Sequence, residues 1–88
     1  MKIKITRKFQ RQIDHCDDKH IKKKVAAVID ATRNSRSIRG IPNNRKLKGF
    51  NNCYRIRIGD YRIGVMIEHD IALFAAFDHR SDIYKYFP

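Results

Sequence analysis

Three arginines, Arg55, Arg57 and Arg62, have the type and spacing to do chemistry together. Tyr54 to Ile67 alternates polar and apolar residues on either side of Gly59-Asp60, the pattern of two antiparallel strands joined by a two-residue turn. Side chains alternate faces along a strand, so Tyr54, Ile56 and Ile58 share one face with Tyr61, Ile63, Val65 and Ile67. The three guanidiniums fall on the other face. A guanidinium keeps its charge at any working pH and presents forked donors matched to phosphate. The ligand suited to such a surface is a polyanion. Arginines on a solvent-facing sheet are also an ordinary way to end a fold. What favours a site is the company: Arg80 and Tyr84 stand four residues apart in the tail, and Arg45, Lys46 and Lys48 precede the hairpin.

The elements that must position these residues are legible in the pattern. Lys2 to Ile5 alternates as a strand, and Thr6 is placed to cap a short helix from about Arg7 to Cys16, with Phe9, Ile13 and Cys16 on one stripe. Asp17 or Asp18 caps a second, longer helix whose stripe is Ile21, Val25, Val28, Ile29 and Thr32; Lys22, Lys23 and Lys24 take its solvated side. Periodicity fails from Asn34 to Asn52, where Gly40, Pro42 and Gly49 mark a long basic connection. His69-Asp70 then turns the chain into a last strand, Ile71 to Phe77, read with Ile71, Leu73, Ala75 and Phe77 on one face. The tail from Asp78 leaves the sheet edge with room for a helical turn. The expected fold is α+β in the order β-α-α-β-β-β, a small antiparallel sheet with a helical hairpin packed on one face, as a single domain over residues 1–88.

The 88 residues carry a formal net charge of +11, and it is unevenly placed. Residues 1–50 hold 15 Lys and Arg against 4 Asp and Glu, whereas residues 51–88 hold 5 against 5. A field of this sign concentrates nucleic acid or acidic protein. No apolar run reaches the length of a membrane span, so the expectation is a cytoplasmic protein without a membrane partner. Cys16 and Cys53 lack a CxxC or Cys/His spacing, so neither a metal site nor a cofactor is expected.

One ordered series ties these segments together: Leu47-Lys48-Gly49, Tyr54-Arg55-Ile56-Arg57, Gly59-Asp60-Tyr61-Arg62-Ile63, then His79-Arg80 with Ile83-Tyr84. It resembles the RelE/ParE superfamily of toxins from bacterial type II toxin–antitoxin pairs, over nearly the whole chain, and within it the RelE-like branch. The resemblance implies a ribosome-dependent endonuclease that cuts messenger RNA by attack of a 2′-hydroxyl on the adjacent phosphate, without a metal. It implies roles for Arg55 and Arg57 as the basic strand pair, Arg62 as the arginine of the next strand, Arg80 as the tail cation and Tyr84 as the C-terminal tyrosine. Lys48 corresponds to the basic residue before the loop glycine, and Arg45 and Lys46 beside it are further candidate RNA contacts. It further implies an acidic cognate antitoxin, with the ribosome and mRNA as the other partners.

The strand pair departs from relatives that carry lysines there. Lysine can act as a base when neighbouring cations lower its pKa, but arginine does not deprotonate at working pH. Arg55 and Arg57 therefore suit phosphate clamping, and the proton must leave by another route. His79 is the first candidate base, because imidazole titrates near neutrality; a turn or capping role is its alternative. Asp78 is read as a base or as an ion-pair partner of Arg80, and ribosomal RNA is the remaining source. Two other functions stay open: a ParE-like gyrase inhibitor without catalysis, and a catalytically degenerate RNA-binding homologue.

Overall fold

A computed structural model describes residues 1–85 and 87–88. Strand β1, Lys2–Ile5, ends where Thr6 begins helix α1, Arg7–Asp14. The Thr6 Oγ1 accepts the Phe9 N–H at 3.0 Å, satisfying one of the orphan donors of the first turn. The same hydroxyl donates to the Ala75 carbonyl at 2.9 Å, so this cap also ties α1 to the far strand. Asp18 caps α2, Lys19–Arg33, by accepting from the His20 and Ile21 N–H groups. After a 3-10 turn, Ile38–Gly40, come β2 (Asn44–Lys46), β3 (Cys53–Ile58), β4 (Tyr61–Glu68) and β5 (Ile71–His79). A second 3-10 turn, Ile83–Lys85, lies in the tail.

The sheet order is β1-β5-β4-β3-β2. The expected α+β order and the Gly59-Asp60 hairpin are present, with Ile58 opposite Tyr61 and Gly59 at φ 57°, the positive φ that a two-residue turn places on its first residue. Three features differ from the sequence reading. The chain enters the sheet edge by pairing β1 parallel to β5, so the sheet is mixed, because two helices intervene and carry the chain back across one face. The basic connection contains β2, paired antiparallel with β3; three polar residues are too few to show a period. The third feature is a register shift in β5. Gly64 faces Ala76 while Val65 faces Phe74, so Ala75 is an extra residue, a β-bulge.

That bulge corrects the face assigned to the last strand. Ala72 and Phe74, not Ile71 and Leu73, point into the main core, and the inserted Ala75 then returns Phe77 to the same side. The main core lies between the helices and the sheet. Phe9 meets Phe74 and Phe77 edge-on at 5.7 and 6.4 Å between centroids, and Ile56, Ile63 and Val65 complete the floor. Thr32 is buried on α2, with its hydroxyl donating to the Val28 carbonyl at 2.7 Å. A second, smaller cluster sits on the opposite face, where Ile83 and Phe87 of the tail cover Cys53 and Ala76. Both cysteines are free and buried, one in each cluster, so the sheet separates them. Among the described residues no helix is long and apolar enough to cross a membrane.

Candidate functional site

The helix-free face carries the arginines, and the strand register says how closely. Arg45 of β2 lies directly opposite Arg55 of β3, and Arg57 of β3 directly opposite Arg62 of β4. Like charges placed opposite one another destabilise a sheet. Two such pairs on three adjacent strands form a cationic surface suited to an anion, with Asp78 of β5 opposite Arg62 at its edge. The loop that brings Arg45 there is pinned by Asn44, whose side-chain amide donates to the Ile38 and Ile41 carbonyls at 3.2 and 2.6 Å. Ile38 and Ile41 are themselves buried. A segment that looks irregular is thus anchored on both sides of its basic residues.

The tail supplies the rest. The Arg55 guanidinium carbon lies 4.2 Å from the centroid of the Tyr84 ring, a cation–π contact, and Nη2 donates to the Pro88 main-chain oxygen at 3.1 Å. Arg55 Nε is buried with no hydrogen-bond partner among the described residues. An unpaired buried donor typically costs about 1–3 kcal/mol, the kind of local expense that accumulates at functional sites. Tyr84 itself is 68% exposed. Arg62 is held from the other side, its Nη1 donating to the Gly59 and Tyr61 carbonyls at 3.0 and 2.9 Å.

Two adjoining grooves share Arg45, Arg55 and Tyr84. One continues over Asn43, Asn44, Arg57 and Arg62. The other, about 770 Å³, continues over Lys46, Lys48 and Phe50 of the loop before β3. Of the nine residues singled out from sequence, Arg45, Lys46, Lys48, Arg55, Arg57, Arg62 and Tyr84 are brought together here.

Arg80 and His79 are not. Arg80 occupies the turn after β5, where its N–H donates to the Asp60 carbonyl at 2.8 Å, and the helical turn bearing Tyr84 starts only at Ile83. The four-residue step to Tyr84 therefore does not place both on one helical face. His79 pairs across the sheet with Tyr61, on the helix-covered side. Its ring meets the Tyr61 ring edge-on at 5.8 Å, and its Nδ1 lies 2.9 Å from Ser81 Oγ. The bulge at Ala75 sets that parity, so the imidazole is on the opposite face from Arg55 and Arg57. Asp78 accepts the His79 N–H at 2.8 Å through its own carboxylate. On the helix-covered side, nearby Cys16 and then burial hold the Tyr61 hydroxyl above its usual pKa. Among the described residues no group of three or more His, Cys, Asp or Glu is placed to hold a metal ion.

The sequence pattern of a family described as the ParE toxin of type II toxin–antitoxin systems matches residues 3–84. The chain belongs to the RelE/ParE superfamily of toxins. Toxin RelE3 of Methanocaldococcus jannaschii is 37% identical over 89 residues, covering 100% of both chains. A crystal structure of a RelB–RelE antitoxin–toxin complex from Methanococcus jannaschii superposes with a TM-score of 0.83 at 35% identity, covering 97% of this chain and 99% of that one. An archaeal RelE–RelB complex from Pyrococcus horikoshii OT3 shares the fold at a TM-score of 0.74 and 19% identity, over 90% of this chain and 93% of that one. The likeness therefore extends beyond bacteria.

In this RelE-like toxin, three groove features escaped sequence reading. Gly64 looked like a strand residue, yet a Cβ there would come within 2.5 Å of the Phe87 ring, so its bareness is what seats the tail. Asn44 anchors the loop through contacts that no local pattern announces. Phe50 lies in the connection where periodicity fails, and no pattern singled it out. Its signal was an aromatic beside Lys48-Gly49, visible only once the groove is known.

Proposed function

We propose that this toxin is an endoribonuclease that cuts messenger RNA on the ribosome, by attack of a 2′-hydroxyl on the adjacent phosphate. The carrying observation is the Arg55–Tyr84 contact at the junction of two cationic grooves. A phosphate reaching that junction meets Arg45 and Arg55 from two strands, with Arg57 and Arg62 farther along one groove, and the exposed ring of Tyr84 offers a stacking surface for a base. Negative charge grows on the phosphorane as the 2′-oxygen attacks, and donors already fixed by the sheet and by the turn carbonyls need little reorganisation to receive it. Arg62 is oriented in this way by its bonds to Gly59 and Tyr61.

These guanidiniums are not proton acceptors. With His79 on the other face, proton transfer falls to Asp78, which pairs in register with Arg62, or to groups that the ribosome brings, and the arginines contribute clamping, orientation and charge. In the second case an isolated chain would cut RNA poorly. The M. jannaschii and P. horikoshii relatives are in complexes with RelB, and we extend that partnership here as an acidic antitoxin. A net charge of +11 supports fast, salt-sensitive association with such a partner.

Induced expression tests the reading. Translation should stop, and transcripts should carry new ends within ribosome-protected codons, with 2′,3′-cyclic phosphates on the upstream fragments. Intact transcripts together with double-strand DNA breaks would replace it with gyrase poisoning. Binding of RNA without any cleavage would leave a degenerate homologue.

A further inference from the structure

Three large hydrophobic side chains are notably exposed among the described residues: Ile5, Phe50 and Tyr84. Isolated exposed apolar residues are ordinary on a protein surface. Here both aromatic members line one groove, and that groove is otherwise cationic, with Arg45, Lys46, Lys48 and Arg55. Phe50 is 45% exposed. A ring exposed among cations finds little apolar packing, whereas a nucleobase offers a π-face and brings a phosphate for the cations.

The ring is also held in place. The Leu47 N–H donates to the Cys53 carbonyl at 2.9 Å, and the Leu47 side chain packs on the second apolar cluster. The Phe50 N–H then closes a turn onto the Leu47 carbonyl at 3.3 Å. Gly49, inside that turn, has φ +85°, and no atom lies within 4 Å of where its Cβ would be. The turn therefore projects Phe50 beside open space from a rooted base.

We infer that Phe50 is a stacking platform for an unpaired RNA base, one that belongs to a nucleotide neighbouring the one whose phosphate meets Arg55. This rests on the ribonuclease reading and adds a second base-binding position to it. Tyr84 has the Arg55 guanidinium on its ring. Phe50 reads the next base by its π-face, so the contact tolerates any base and favours those that stack best, the purines. Charge and stacking then divide the work along the groove: Lys46 and Lys48 hold the backbone, and Phe50 orders the base.

The test uses the full chain and a short single-stranded RNA made uncleavable by 2′-O-methylation, alongside copies with one base removed at each position in turn. Phe50→Ala should weaken binding of the intact oligonucleotide by roughly 5- to 100-fold. The slope of log affinity against log salt should stay as in the wild type, because stacking releases no counterions. At one position, base removal and Phe50→Ala should be non-additive. The sequence has no tryptophan, so Phe50→Trp introduces a single indole whose emission should change on binding the intact RNA and not the copy lacking that base.

Phe50→Leu separates stacking from bulk: restored wild-type affinity would overturn a π-face role. Equal affinity of Phe50→Ala and wild type would overturn the inference, as would a lower salt slope in Phe50→Ala, which would mean that the loop lysines had moved. A wild-type chain that binds no oligonucleotide while transcripts are still cut in cells would remove the platform alone. Uncut transcripts in cells would remove the ribonuclease reading beneath it.

Discussion

The Phe87 ring fills the space beside Gly64, with three ring carbons at 2.5–2.7 Å from the position a Cβ would take. This contact seats the tail on the helix-free face. It sets where the 3-10 turn Ile83–Lys85 runs, and so brings Tyr84 over Arg55. Gly64→Ala should therefore lift the tail while the hairpin stays paired. Overpacking of this kind costs about 1–3 kcal/mol, and each kcal/mol lowers Tm by about 4–8 °C in a domain of this size. Toxicity should fall more than stability does. A Gly64→Ala chain with wild-type Tm and full toxicity would show that the tail does not need this seat.

Arg57 and Arg62 repel across the β3–β4 ladder. Removing one should leave folding intact or improve it by about 0.2–1 kcal/mol, while toxicity is lost. Arg57→Ala is the cleaner variant, because Arg62 also bonds the turn carbonyls. Thermal melts and growth assays on the same variant decide the matter. In RNA binding, the salt slope should drop by about one phosphate's worth. Loss of stability together with toxicity would mean that Arg57 is structural.

Tyr84→Phe keeps a ring for the Arg55 guanidinium and removes only the hydroxyl. RNA affinity and Tm should hold, and transcript cleavage should fall, because the family resemblance implies that this tyrosine also contacts the reacting phosphate. Tyr84→Ala removes the cation–π contact as well, about 0.5–1 kcal/mol at an exposed site, and should weaken RNA binding too. Undiminished cleavage by both variants would take Tyr84 out of the site.

His79→Ala should leave the cleavage rate unchanged, since its ring faces Tyr61 across the sheet from the arginines. Rates measured on programmed ribosomes provide the check. A fall beyond tenfold would return the imidazole to the chemistry.

Burial pushes the Cys53 thiol above its usual pKa. A folded chain then keeps this proton at a pH where the unfolded chain has lost it. The contribution is complete below the unfolded thiol pKa, about 8.5, and is lost as pH rises towards and through the raised folded value. Stability should thus decline above about pH 8.5, and Cys53→Ala should flatten that decline when Tm is followed from about pH 7 to about pH 9.5. An equally steep decline in Cys53→Ala would assign it to other groups, Tyr61 first among them.

Much of this toxin was written locally. The caps at Thr6 and Asp18, the two helical stripes, the Gly59 turn and the arginine row all depend on residues within a few positions of one another, where propensity, periodicity and turn chemistry act directly. Those features placed Arg55, Arg57 and Arg62 on one face before any tertiary contact was known. Only the folded chain decided the rest. The extra residue at Ala75 reverses parity within β5, and alternation read from sequence has no means of counting an unpaired residue, so the face assigned to Ile71 and Leu73 was the wrong one while Phe77 and His79 kept theirs. β1 pairs with β5, and β2 extends the sheet from three polar residues, through partners distant in sequence or too few to leave a period. The tail reaches Arg55 because one glycine in the sheet lacks a side chain. The charge of the site is a property of the sequence; its assembly depends on which distant surfaces can close against each other without steric conflict.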